Sequence, residues 1–393
     1  MSDTFREVTR VSWFSRLRQS VFGVILGLIL VVAMVIGLFW NEGRAVTTAR
    51  ALAEGAGLVV SVASDAVDAG NEGRLVHVSG IVTADTEPVD RDFGISAAGI
   101  RLERTVEMYQ WREQSRSETQ TKLGGGQETV TTYTYSREWA SRAIDSSNFR
   151  QPAGHANPAM TYRSEAFQIP AAKLDAFQLD SAVLDRIGDA RPVPITPDLL
   201  ASINTVFTGS LPTHVADGRI YLGRDPANPA IGDHRVSYAL VPLGPISVVA
   251  RQEGASFAPY QTRAGDRLLM VETGAVPAER MFERAATANT VMTWLLRLGG
   301  LLLLMMGFSM VLGPLGVAAD VLPFLGRIVR MGTGTVAFVL AVLVGSVTIA
   351  VAWFWYRPLL AIGIVLAGVA IAWLTGRLGK PKPDAAPVEA KAD

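Results

Sequence analysis

The sequence contains no cysteine. That excludes disulfides, cysteine-rich zinc sites and a thiol nucleophile. Histidine is scarce too: His77, His155, His214 and His234 are the whole set. No two of them stand at a ligand spacing such as H-x-x-x-H, so no metal and no other cofactor is expected. Neither sign of charge is in excess, with Lys+Arg and Asp+Glu at 36 each, which leaves no overall field to attract nucleic acid. The glycines at 124–126 are not followed by Gly-Lys-Ser/Thr, so they are no phosphate loop. No G-x-S-x-G nucleophile elbow occurs either.

What is abundant is apolar. Residues of the hydrophobic types make up 49% of the 393, and the mean hydropathy is +0.27. Residues 21–40 carry no charge, and roughly 20 apolar residues are enough to cross a bilayer core. The run is too long for a cleaved signal peptide and reads as an uncleaved anchor. Further spans are expected at 293–312, 333–355 and 358–374, with an interfacial or re-entrant segment and a loop at 313–332 where Gly313-Pro314 interrupts the pattern. Basic clusters precede the first span (Arg6, Arg10, Arg16, Arg18), separate the second from the third (Arg327, Arg330) and come after the fourth (Arg377, Lys380, Lys382). The positive-inside rule places all three on the cytoplasmic side and residues 41–292 on the other. The basic segment 1–20 and the Pro/Ala/charged tail 375–393, expected to be disordered, would then both be cytoplasmic. Composition rich in Ala, Gly, Val and Arg points to a bacterial source and hence an inner membrane with a periplasmic or extracellular domain. Arg297, one turn into the second span, is expected to snorkel outward. Small residues at four-residue spacing (Gly23 and Gly27; Ala337, Ala341 and Gly345; Gly363 and Ala367) fit close helix packing, within the chain or between copies. Asp320 is the one acid in an apolar stretch, a candidate intramembrane polar site. The plainer expectation is an interfacial residue beside Arg327 or Arg330, or an N-cap.

Between the spans lie enough residues for a real core. Strand patterns at 58–63, 75–83, 101–114 and 133–139 are succeeded by amphipathic helices near 173–188 and 197–207, and then by more strands. The expected fold class is an α+β extramembrane domain inserted between transmembrane helix 1 and a C-terminal group of three transmembrane helices. Two related α/β subdomains like small bacterial BON modules are one analogy, prompted by the loose similarity of HVSGIVTADTEPVD and RVSYALVPLGPISVV. The densest block of unusual sequence is 104–160. Folding it about Gly125 sets Trp111 opposite Trp139, on a face shared with Tyr133 and Tyr135. The polar, glycine-rich end around Gly124, Gly125 and Gly126 reads as exposed and mobile. The turn-rich stretch after it contains Asp145, Ser146, His155 and Asn157. These types tempt a hydrolase reading centred on Ser146 and His155, but residue types alone make no triad.

RTVEMYQWRE, the GGG tip, TTYTYSREW, IDSSNFR, GHANP and, further on, GDHRVSYALVPLGPISVVARQ resemble the transmembrane protein 43 (LUMA) family over nearly the whole chain. The resemblance implies a multi-pass membrane organiser and brings no catalytic motif. The expected function is a non-enzymatic scaffold for membrane or envelope protein complexes, working as a homo-oligomer. The partners are then the lipid bilayer and other membrane proteins. An oligomeric channel is the alternative from another class, and a periplasmic hydrolase the third. The expected interaction surface is Trp111, Gly124, Gly125, Gly126, Tyr133, Tyr135, Trp139, His155 and Asn157.

Overall fold

The computed structural model describes residues 3–209 and 211–359, with 362, 363, 366 and 367. The described helices are α1 (Trp13–Leu58), α2 (Ser181–Leu184), α3 (Pro197–Val206), α4 (Ala278–Ala319) and α5 (Pro323–Tyr356). Ser12 caps α1 by accepting from the Ser15 amide at 3.3 Å. α1 contains no proline, so the helix continues well past the expected span. α4 likewise runs without a break from the polar AERMFERAATANT into its apolar half, as the sequence suggests. The expected interruption at Gly313-Pro314 does not occur: Pro314 lies inside α4. The lost hydrogen bond is a local cost that neighbouring structure can absorb in a long apolar helix. The chain turns instead at Asp320–Leu322, and Pro323 opens α5, where its missing N–H costs nothing. α1, α4 and α5 are each long and apolar enough to cross a membrane. The fourth expected span, 358–374, lies largely outside the described residues, and the tail 375–393 wholly so.

Two compact units divide the chain. The first comprises Met1–Gln19, Thr47–Asn289 and Gly316–Val329. It contains two large sheets. One runs in the order Asp3–Val11, Gln127–Ala140, Gly99–Thr121, His234–Pro242, Arg219–Leu222, Thr213–Ala216, with Glu165–Gln168 and Arg191–Val193 joined to its inner strands. The other runs Phe177–Leu179, Ala172–Leu174, Leu75–Thr83, Pro245–Glu253, Ser256–Ala258, with Val60–Val62 and Met270–Thr273 attached. Among the described residues every pairing is antiparallel except that of Val60–Val62 with Leu75–Thr83. The chain passes back and forth between the sheets, so neither is one continuous segment. HVSGIV at 77–82 and RVSYAL at 235–240 fall in different sheets, which leaves the internal-repeat analogy without a structural counterpart.

Alternation decides what each strand buries. Val76, Val78 and Val248 point to one side and meet Leu174, Phe177 and, from α2, Val183 and Leu184. Leu75 and Val249 point to the other, against Ala51 and Leu52 of α1 and Met281 and Phe282 of α4. The first sheet buries Leu102, Val106 and Val236 with Phe93 and Ile203 of α3. Full burial of each such side chain is worth about 1.5–3 kcal/mol.

The Asp3–Val11 strand was not expected. It pairs residue by residue with the return arm of the long hairpin, from Asp3↔Tyr135 to Val11↔Gln127. A strand ladder cannot be divided by a bilayer. The expectation that sets 1–20 and 41–292 on opposite sides therefore disagrees with this pairing.

The second unit comprises Ser20–Val46, Thr290–Leu315 and Arg330–Asp393. Its described core is Leu38, Leu304 and Ala341. A Cβ on Gly27 would lie 2.7 Å from the Gly307 carbonyl, and one on Gly345 would lie 2.3 Å from Leu301 Cδ2. With Ala337 and Ala341 buried as well, these small residues serve close packing within the chain. Gly23, by contrast, has nothing within 4 Å of that position.

Candidate interaction surface

The hairpin arms, Gly99–Thr121 and Gln127–Ala140, are rich in Thr, Tyr, Val and Trp, residues that suit a pleated ladder. Cross-strand hydroxyl pairs, Ser117 with Thr131 and Thr119 with Thr129, both at 2.9 Å, fasten the far half. Gly124 and Gly125 take φ of 85° and 77° in the turn, a region open to glycine. The turn centres on Gly124, because Thr121 pairs with Gln127. Centring on Gly125 mis-sets the register by two residues. Trp111 therefore lies opposite Arg137, and Trp139 opposite Tyr109, with rings 5.2 Å apart. The two tryptophans share a face but sit diagonally. Arg137 stacks over Trp111 at 5.5 Å and Arg235 over Trp139 at 4.7 Å.

His155 is buried, stacked on Tyr135 at 4.0 Å and edge-on to Trp111 at 4.8 Å. Its Nδ1 lies 3.0 Å from the Gln151 carbonyl. Asn157 clamps the Trp111 backbone: Oδ1 accepts the Trp111 amide at 2.7 Å, and Nδ2 donates to the Trp111 carbonyl at 2.9 Å. Ser146 Oγ accepts the Asn157 amide at 2.9 Å. Asp145 holds the adjoining turn through Ser147 and Asn148, and the Ser147 hydrogen bonds keep its carboxyl below the usual range. The Tyr135 hydroxyl donates to Glu113 at 2.7 Å and accepts the Gln151 amide at 2.9 Å, while Tyr133 reaches Glu7 of the N-terminal strand at 3.3 Å. The 144–157 segment is thus a brace under the aromatic face. Ser146 and His155 each have a structural partner there. The outward remainder of the face, Tyr109, Trp139 and Arg235, is only half-buried.

The hairpin end is not a free tip. The Gly124 amide donates to the Val321 carbonyl at 3.2 Å, and Arg16 donates to the Gly125 carbonyl. A Cβ on Gly125 would lie 2.3 Å from Trp13 Cδ1, whereas Gly126 is under no such constraint. Trp13 Nε1 donates to the Val317 carbonyl at 2.9 Å. Asp320 is buried and receives Arg16 at 2.5 Å. Arg16, so distant in the chain, was not among its expected partners. Gly326 leaves room for that carboxylate, since a Cβ there would meet Oδ1 at 1.8 Å.

Two polar clusters escape sequence reasoning. In the second unit, Glu42 is buried and takes Arg297 through both oxygens, at 2.6 and 2.7 Å, plus Trp353 Nε1 at 2.9 Å. Arg297 therefore turns inward to an ion pair and does not snorkel. The only signal was one charge of each sign at the edges of two apolar runs. In the first unit, Asp90 receives Arg104 at 2.7 and 2.8 Å and the Tyr238 hydroxyl at 2.7 Å. Burial, aided by Asp90, pushes the Tyr238 hydroxyl well above the usual tyrosine range. A cleft of about 420 Å³ beside Asp85, Lys173 and Asp180 holds none of the residues weighed for catalysis. Among the described residues no three His, Cys, Asp or Glu side chains are grouped to hold a metal.

Residues 108–358 match the family described as Transmembrane protein 43. "Transmembrane protein 43" of Homo sapiens is 33% identical over 371 residues, which is 91% of this chain and 90% of that one. The Rattus norvegicus protein is 33% identical over 89% of this chain and 88% of its own. "Transmembrane protein 43 homolog" of Drosophila melanogaster is 30% identical over 90% of this chain and 94% of its own. No solved structure matches the chain.

Proposed function

The chain belongs to the transmembrane protein 43 family, and from that premise we propose that it is a non-enzymatic organiser of protein complexes in the membrane, working as a homo-oligomer. One observation carries the reading: a wide sheet face backed by a rigid brace. Trp111, Tyr135, His155 and Asn157 hold one another, and Tyr109, Trp139 and Arg235 remain partly open. Large aromatic groups with an adjacent arginine are the usual anchors of a protein interface. The hydrolase reading loses support because Ser146 and His155 are both engaged in that brace. A conductance role has against it that Glu42 and Arg297 neutralise each other in the helical unit. The proposed site of action is a bacterial inner membrane, with the basic segments on the cytoplasmic side.

The test is recovery of partners from native membranes after crosslinking, with wild type beside Trp139→Ala combined with Arg235→Ala. Those changes should lower recovery of specific partners without altering detergent-solubilised size. Undiminished recovery would remove this face from the proposal, and turnover of an ester or peptide panel by the pure protein would end the non-enzymatic reading.

A further inference from the structure

The hairpin end, the start of α1 and the α4–α5 turn are fastened to one another. Gly124 bonds Val321, Trp13 bonds Val317, and Arg16 joins the Gly125 carbonyl to Asp320. On this fastened body the large apolar side chains point outward. Leu123 is 85% exposed, Phe14 72% and Phe324 67%, with Leu322 and Val321 also exposed. Single exposed apolar residues need no explanation, but several large ones on three segments bonded to one another do. The charges beside Phe14 and Phe324 are mostly basic. Residues 12–19 and 316–329 carry Arg16, Arg18 and Arg327 against a single acid, Asp320, which is buried on Arg16, while Lys122 beside Leu123 is paired with Glu128 at 3.4 Å. Arg18 and Arg327 are exposed and have no carboxylate partner among the described residues. α1 and α5 both continue from this body into candidate membrane spans.

We propose that this body is a lipid-binding foot. Leu123, Phe14 and Phe324 insert at the boundary between headgroups and acyl chains, while Arg18 and Arg327 receive anionic phospholipid headgroups. Apolar residues flanked by Lys and Arg are the composition that seats a segment in the interface plane, and each basic residue near an anionic surface adds to the attraction. The occupant is the bilayer itself, because the same segments lead directly into the apolar helices. The hairpin thereby reaches the bilayer on the side of the N-terminal strand, so that its end is anchored and does not sample solvent. This goes beyond the organiser reading, which concerns the face near the hairpin base.

The absence of cysteine makes the test clean. An environment-sensitive fluorophore on Leu123→Cys of the full chain is compared, in vesicles of neutral lipid and in vesicles with added anionic lipid, with the same label on Arg116→Cys, further back on the ascending arm. The Leu123 label should emit to the blue and be quenched by lipid-borne quencher more than by aqueous iodide, with the reverse order at Arg116. Arg18→Gln with Arg327→Gln should abolish any strengthening by anionic lipid. Quenching of the Leu123 label by iodide alone, or by neither agent, would overturn the foot. A label that is lipid-quenched but indifferent to anionic lipid and to the arginine changes would overturn the headgroup half. Leu123 is so exposed that loss of folding is not expected, and an unchanged circular dichroism spectrum checks it.

Discussion

His155 shows how a residue type that invites a chemical reading can be spent on shape. Its ring fills the gap between Tyr135 and Trp111, so His155→Ala should destabilise the first unit by about 2–4 kcal/mol, as truncations of large buried side chains do. Denaturant unfolding monitored at the tryptophans measures this, and a change below about 0.5 kcal/mol would mean the ring is not part of the brace. Asp320→Asn should cost about 3–5 kcal/mol by stranding the buried Arg16 guanidinium, with Asp320→Asn plus Arg16→Leu recovering part of the loss in the same unfolding measurement. His234 is buried on the core face, and burial holds its ring below the ordinary histidine value. The unfolded ring titrates near ~6.5, so the contribution is fully present above that pH and is lost as pH falls through the lower folded value. The thermal midpoint of the unfolding transition should drop below about pH 6.5, and His234→Phe should flatten that slope.

At the scale of elements, the hairpin and the strand added to it form one ribbon, and Gly125 is where the ribbon meets α1. Gly125→Ala puts a methyl into the Trp13 ring at a backbone angle that side chains rarely adopt. Hydrogen exchange should then accelerate at residues 3–11 and 121–127, while the Leu75–Thr83 strand keeps its protection; uniform acceleration would contradict a local role. The arms, the long helices, the Pro197–Val206 helix and most inner strands were legible because alternation, aromatics and capping residues signal them directly. The amphipathic pattern at 173–188 misled, since it forms the strands Ala172–Leu174 and Phe177–Leu179 and only the short helix Ser181–Leu184. The register was not, since a run of three glycines leaves the centre of the turn undetermined, and a shift of one residue at the tip moves each pairing by two. The Asp3–Val11 strand was illegible for a different reason. Read alone, DTFREVTRV is a charged tail, and only its pairing partner on the return arm makes it a strand. The Glu42–Arg297 pair was hidden likewise, because the two charges stand on separate helices.

For the whole molecule, the family relationship and three apolar helices establish a membrane protein, and the ladder between 3–11 and 127–135 constrains how it is threaded. An impermeant maleimide applied to single-cysteine variants should give the same outcome at Thr4 and Thr121, whichever side that is. Opposite outcomes would show that the strand pairing does not exist in the membrane. The ladder also has a consequence for synthesis. Its first strand leaves the ribosome more than a hundred residues before its partner, a delay on the order of ten seconds at ordinary elongation rates. During that interval a nine-residue edge has nothing to pair with, and closing so distant a contact is intrinsically slow. That strand must wait for its partner, so a bulky group attached beside residues 3–11 should leave the hairpin edge open to other chains.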